Sequence, residues 1–338
     1  MPSSLLIGLA AGLVSAVVFV SATTGPPLAQ LALFLLTPFT IYLAGLGLGW
    51  QAAAAGSGAG LLALGGLATP VAGLLFAVSA ALPAVVLTYL ALLSRTVVAT
   101  AAASDELDTP APAAASLVEW YPAGRLVIVA ALLGGLVVLG ALLMLGQDVA
   151  GLKAALEPAV KKLVTEQLPQ PADAPPLGEA EIAYLSELAV YIMPAAAAMT
   201  LMSVMLLNLY LAGLVTLASG RLARPWPDLA AIGYPRGAPL LLALAIGSTF
   251  VPGVPGLVGS AFAGSLYLAY VLLGLAIIHY ISRGQNWRSI MLVTLYVVLL
   301  VMNTAISLMI AILGLAESLV PIRARARPPT GGGPPAVT

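Results

Sequence analysis

The charged residues of this 338-residue chain keep to the gaps between long apolar runs. All thirteen acidic residues fall in loops or at the ends of those runs, with Glu187 the nearest to an apolar centre. Only 8% of the chain is charged and 61% is hydrophobic, against roughly 25% charged in a soluble domain. No water-facing surface can be covered so sparsely, so the surrounding solvent is lipid over most of the chain. Backbone groups in hydrocarbon must be bonded within their own segment, which makes these runs helices. The expected fold class is all-α, a polytopic transmembrane bundle of about 8–9 spans in one domain, 1–328, with 329–338 a disordered tail.

The same composition limits the chemistry. With no Cys and one His, disulfides, thiol redox, Cys-ligated zinc and a bis-histidine haem are excluded. Zero net charge gives no reason to expect a nucleic-acid partner. No phosphate loop, HExxH or GxSxG occurs, and Gly56–Gly60 is not followed by the Lys-Ser/Thr of a nucleotide loop. No catalytic residue, cofactor or metal is therefore nominated, and the chain reads as a non-enzyme. Lipid is the expected partner, with other membrane subunits the second class.

The runs read in order as follows. Span 1 is about Leu5–Val20; lacking a basic residue before it, it reads as a retained helix rather than a signal peptide. Span 2, about Leu28–Gly45, contains Pro38, where a kink is expected. Span 3, the Gly- and Ala-rich Ala52–Leu67, is either a tightly packed helix or a re-entrant piece, and span 4 is Val71–Leu93 with Pro83 inside. Residues 94–122 read as a flexible polar loop on the cytoplasmic side. Span 5 is Leu126–Leu145, preceded by the interface pair Trp120-Tyr121. Residues 147–187 read as an extracytoplasmic amphipathic segment, with Val149, Leu152, Leu156, Val160 and Leu163 at helical spacing and a break or restart at Pro158. It is read as a surface helix, with a lid over a ligand site as the alternative. Span 6 is Ala189–Leu217, span 7 the short Leu240–Val251, span 8 Leu257–Ile281 and span 9 Ile290–Leu315.

The organising stretch is Met202–Leu229, where an apolar run, a polar pair and a basic loop meet. The loop after span 6, with Arg221, Arg224 and Arg236, belongs in the cytoplasm by the positive-inside rule. Beyond it two arrangements stay open. If span 7 crosses, the Arg283–Arg288 turn is inside and the arginine-rich tail outside. If span 7 is re-entrant, the tail is inside and the turn outside. Nine crossings are preferred.

A charge inside the bundle is the usual mark of an ion- or proton-coupled carrier. None is seen here, so the polar uncharged residues are the candidates. Asn208, Tyr210, His279 and Asn303 form a hypothetical ligand set, with interhelical hydrogen bonding as the plainer alternative. Tyr210, two residues from Asn208, faces away from it. Gly8, Gly12 and Ala16, four apart on span 1, form a small-residue face that either packs within the chain or docks another subunit.

Asn208-Leu-Tyr-Leu-Ala-Gly213 with the Arg221–Arg224 loop and Trp226 resembles the YybS-like family of bacterial membrane proteins. Gly274-Leu-Ala-Ile-Ile-His279 and the last helix ending Gly314-Leu-Ala-Glu317 resemble that family's C-terminal half, over about Tyr121–Arg327. Glu317 and Arg323 match its acidic and basic ending; the aromatic residues there do not. The resemblance implies a bacterial inner-membrane location and a fold similar to the substrate-binding subunits of energy-coupling-factor importers and to the cell-shape protein MreD. It implies one of two roles: binding a small neutral or apolar solute for transport, or scaffolding through helix faces. In the former role the face of Gly8, Gly12 and Ala16 would dock a coupling subunit.

Overall fold

The computed structural model of the chain describes residues 3–98, 116–145, 149–162 and 178–325. It is 81% helical. Six of its helical stretches are long and apolar enough to cross a membrane: Ser3–Ser21, Pro27–Leu48, Pro70–Leu92, Ala123–Met144, Glu179–Ala218 and Val254–Ile281. The protein is a helical membrane protein. Its helices group into two units, residues 1–126 with 203–227, and residues 127–202 with 228–338.

Unit 1 begins with α1 (Ser3–Ser21), α2 (Pro27–Leu36), α3 (Phe39–Leu48) and α4 (Trp50–Leu67). Gly8, Gly12 and Ala16 of α1 are buried. A Cβ at Gly8 would strike the Ala52 carbonyl, and one at Gly12 the Gly56 carbonyl. Two helices approach this closely only where both lack side chains at the seam. The face that could have docked another subunit is therefore occupied by α4 of the same chain. Pro38 splits span 2 into α2 and α3. Span 4 is α5 (Pro70–Phe76) and α6 (Leu82–Leu92) joined by a π-helical turn, Ala77–Ala81. That wide turn lies just ahead of Pro83 and lets the helix pass a residue with no N–H and a ring crowding the preceding turn.

Part of the expected flexible loop is ordered. Ser94–Val98 (β1) and Ser116–Trp120 (β2) form an antiparallel ribbon in register Arg95 to Glu119. Thr96, Val97, Val98 and Val118 are β-branched, and an extended backbone suits them. Residues 99–115 lie outside the described residues.

Unit 2 takes most of α7 (Ala123–Leu145), α8 (Val149–Lys162) and the first part of α9 (Glu179–Ala218), whose remainder belongs to unit 1. At about 1.5 Å per residue α9 is about 60 Å long, twice the ~30 Å hydrocarbon layer. The expected amphipathic helix is present as α8, and Pro158 lies inside it rather than breaking it. Leu152 of α8 joins one buried cluster with Val138 and Leu142 of α7, Val190 and Ala198 of α9, and Leu257 and Ala261 of α11 (Val254–Ile281). Leu163 and the tail 329–338 lie outside the described residues, as do the Leu156 and Val160 side chains.

The C-terminal half departs from the sequence reading. Span 7 is the eleven-residue α10 (Ala238–Ser248), folded back on α11, with Gly259 set against Ser248. Span 9 is not one helix. Met302 (φ −110°, ψ 41°) separates α12 (Arg288–Val301) from α13 (Asn303–Leu319), and the four-residue α14 (Ile322–Arg325) follows. Tyr267 of α11 donates to Ser307 of α13 at 2.6 Å. Gly274 and Gly314 meet where the two helices cross. Beyond the crossing, the Arg323 guanidinium lies 5.8 Å from the Tyr280 ring centre. α11 and α13 therefore run in the same direction. Both sequence arrangements had placed the Arg283–Arg288 turn and the tail on opposite sides; the structure puts Arg283 and Arg323 at the same tyrosine.

Candidate functional site

In unit 1 the polar geometry is organised by Pro38. Between α2 and α3 the backbone bonds are rerouted: Thr37 N–H donates to the Phe34 carbonyl, and Ile41 and Tyr42 N–H both donate to that of Pro38. That leaves the Thr37 carbonyl without its helical donor. Asn208 Nδ2 donates to Leu35 O at 2.6 Å, and Ser15 Oγ donates to Thr37 O at 2.6 Å. Asn208 Nδ2 also donates to Val204 O one turn back, at 2.7 Å. Two carbonyl acceptors fix the amide orientation, because the flipped amide would set oxygen against oxygen. Asn208 Oδ1 is then fully buried and meets no donor. Asn208 sits ten residues before the end of α9, about 15 Å along it.

Tyr210 does not join Asn208. It is 43% exposed and packs edge-on to Trp226 at 5.6 Å between ring centres. Trp226 in turn closes on the bare Cα of Gly213. Arg224 donates to the Ala91 carbonyl at 3.0 Å, which caps the end of α6. Partial burial pulls its guanidinium below the usual arginine range, but not out of the charged state. Sequence reasoning did not single out Tyr42, whose hydroxyl is also fully buried without a partner. A tyrosine in an apolar helix gives no sign in sequence of whether its hydroxyl reaches an acceptor.

In unit 2, His279 Nε2 lies 2.8 Å from Tyr296 Oη. Asn303 opens α13 instead of sitting mid-helix, and its side chain lies outside the described residues. The strongest polar assembly here is charged. Arg283 makes a two-point ion pair with Asp228, Nη1 donating to Oδ2 at 2.8 Å and Nη2 to Oδ1. Arg323 Nε donates to Glu317 Oε1 at 2.8 Å and Nη1 to the Ala230 carbonyl at 3.0 Å. Glu317 Oε2 accepts from the backbone N–H of Ile322 and Arg323, at 2.8 and 3.1 Å. Both guanidiniums lie within cation–π reach of Tyr280, Arg283 at 5.6 Å. This clamp ties the loop at Asp228–Ala230, the end of α11 and the C-terminal segment into one piece. The Arg283 hydrogen bond holds the Asp228 carboxyl below its usual range.

Of the four sequence candidates, the structure thus places Asn208 and Tyr210 in unit 1, on buried and exposed faces respectively, and His279 and Asn303 in unit 2. An open groove on the first turns of α9, lined by Ala180, Glu181, Tyr184 and Leu185, includes none of them. The clamp was missed because its members are scattered from 228 to 323, although Asp228, Glu317 and Arg323 each stood out as rare charges. No family model, curated protein or solved structure matches the chain.

Proposed function

We propose that the chain is a multi-pass protein of a bacterial inner membrane that binds a small neutral solute within unit 1 through Asn208. The observation that carries this reading is the orphan Asn208 Oδ1. Both Nδ2 protons are engaged, the side chain is fully buried, and the oxygen lacks a donor. An unmet acceptor away from water costs about 1–3 kcal/mol, which a hydroxyl or amide N–H of a solute would offset. A charged solute is disfavoured, since no acidic residue lies in the middle of an apolar run to meet it. The resemblance to the YybS-like family, and through it to energy-coupling-factor substrate-binding subunits, is fold-level support of the same kind. Tyr210, His279 and Asn303 drop to secondary positions in this reading.

For the membrane arrangement we propose eight crossings: α1, α2 with α3, α4, α5 with α6, α7, α9, α10 and α11. The contacts of Gly8 with Ala52 and Gly12 with Gly56 support it, because α1 and α4 run in the same direction, as alternate crossings must. So does the ion pair of Arg283 with Asp228, which returns α11 to the end where α10 sets out. With the N-terminus inside, the nine arginines among the described residues fall on the cytoplasmic side and the three lysines outside.

Native mass spectrometry of the detergent-purified protein tests the solute reading. A small neutral species should accompany wild type and be missing from Asn208→Leu. Ligand-free spectra for both folded proteins would sink it. The scaffolding role would then stand, and one observation favours it: Tyr210 and His279 already have partners within their own units.

A further inference from the structure

We propose that α12 and α13 form a re-entrant hairpin, entering and leaving the bilayer on the face of the arginine clamp, and that α12 docks there against anionic phospholipid. The proposal rests on the membrane reading and not on Asn208, so either can fail alone.

Direction comes first. α13 runs parallel to α11, from Ser307 beside Tyr267 to Arg323 beside Tyr280. α12 starts from the same end as the clamp, seven residues after Ile281. It must therefore carry the chain away from the clamp so that α13 can bring it back. Length comes second. The fourteen residues of α12 span about 21 Å and the seventeen of α13 about 26 Å. Together they reach further than one ~30 Å crossing needs, and the helix breaks between them at Met302. A single crossing would have left the turn and the tail on opposite sides, which their joint contact with Tyr280 forbids.

Surface chemistry comes third. α12 has no buried residue. Ile290, Val293, Val297, Leu300 and Val301 are all exposed, Leu300 at 83%. Water does not hold such a row, and hydrocarbon does. Trp287 and Arg288 stand at its start, where a membrane interface places an aromatic and a cation. The charge then selects the lipid. Asp228 and Glu317 are both engaged, by Arg283 and Arg323. Arg288 and Arg325 have no carboxylate partner among the described residues. The end of the unit where the hairpin starts and finishes thus carries unbalanced positive charge, which complements anionic headgroups.

The chain contains no cysteine, so single-cysteine variants of the full protein can be labelled directly with an impermeant maleimide in oriented vesicles. Gln285→Cys and Ala324→Cys should label from one side and Pro252→Cys from the other. Leu300→Cys and Val301→Cys should label from neither side until detergent is added. Opposite sidedness of positions 285 and 324, or labelling of 300 and 301 from the side that reaches 252, overturns the hairpin. For the lipid, the protein is melted in nanodiscs of phosphatidylcholine alone and of phosphatidylcholine mixed with phosphatidylglycerol. The anionic discs should raise Tm, and the rise should shrink in high salt and in the Arg288→Gln, Arg325→Gln double variant. Equal Tm in both discs, or a rise the double variant keeps, overturns the docking.

Discussion

The polar assembly of unit 1 and that of unit 2 solve opposite problems. Around Asn208, the groups are neutral, lie well within a helix, and gather on backbone carbonyls beside the Pro38 break. Around Tyr280, the groups are charged, lie at helix ends, and fasten the segment after α13 to α11. The difference follows from solvation. An amide can stay within hydrocarbon if its own hydrogen bonds are met, whereas a carboxylate and a guanidinium need each other and the polar boundary. Position along the helices therefore sorts the side chains by charge, neutral within a helix and charged at helix ends.

That contrast can be broken at several points. The largest effect should come from removing one partner of the nearly buried clamp pair, whose side chains are 14% and 10% exposed. Arg323→Gln or Glu317→Gln should lose about 3–5 kcal/mol, seen as a large fall in Tm and release of the tail to protease. If either variant melts like wild type, the clamp does not hold the terminus. Next, Gly12→Leu sets a side chain against the Gly56 backbone, which cannot yield. Overpacking by about 1–3 kcal/mol or more should broaden or abolish the monodisperse peak, while Gly58→Leu, with open space around it, should not.

Asn208→Leu removes two interhelical or local bonds, and about 0.6–2 kcal/mol each bounds the loss. A fall in Tm as large as that of Glu317→Gln would erase the distinction between the two assemblies. A smaller effect belongs to Asp228. Its carboxyl is held below the ordinary range by Arg283, so its contribution is present at neutral pH. That contribution persists above the unfolded value of about 3.9 and is lost as pH falls through the lower folded value. Wild type should lose more Tm on acidification below about pH 4 than Asp228→Asn does. The smallest effect is at the ribbon, where Arg95→Ala breaks an exposed pair and should change stability by about 0–1 kcal/mol.

Much of this was legible in the chain itself. Hydropathy located the six long spans, because backbone groups in lipid have no alternative to a helix. The small-residue pattern of Gly8, Gly12 and Ala16 marked a true close approach, but not its partner, since α4 and a foreign helix look alike to α1. Asn208 was visible as a buried polar residue; that it serves the Leu35 carbonyl was not, because Pro38 lies 170 residues away in sequence.

Local chemistry determined that this chain is helical, lives in lipid and keeps charge out of its apolar runs, since each of these follows from solvation of residues one at a time. Only the tertiary structure decided that the last apolar stretch breaks at Met302, that α13 runs parallel to α11, and that Asp228, Tyr280, Arg283, Glu317 and Arg323 gather at one end. Such choices depend on the direction in which helices run past one another. Direction is set by contacts between distant residues, and a hydropathy count is blind to it.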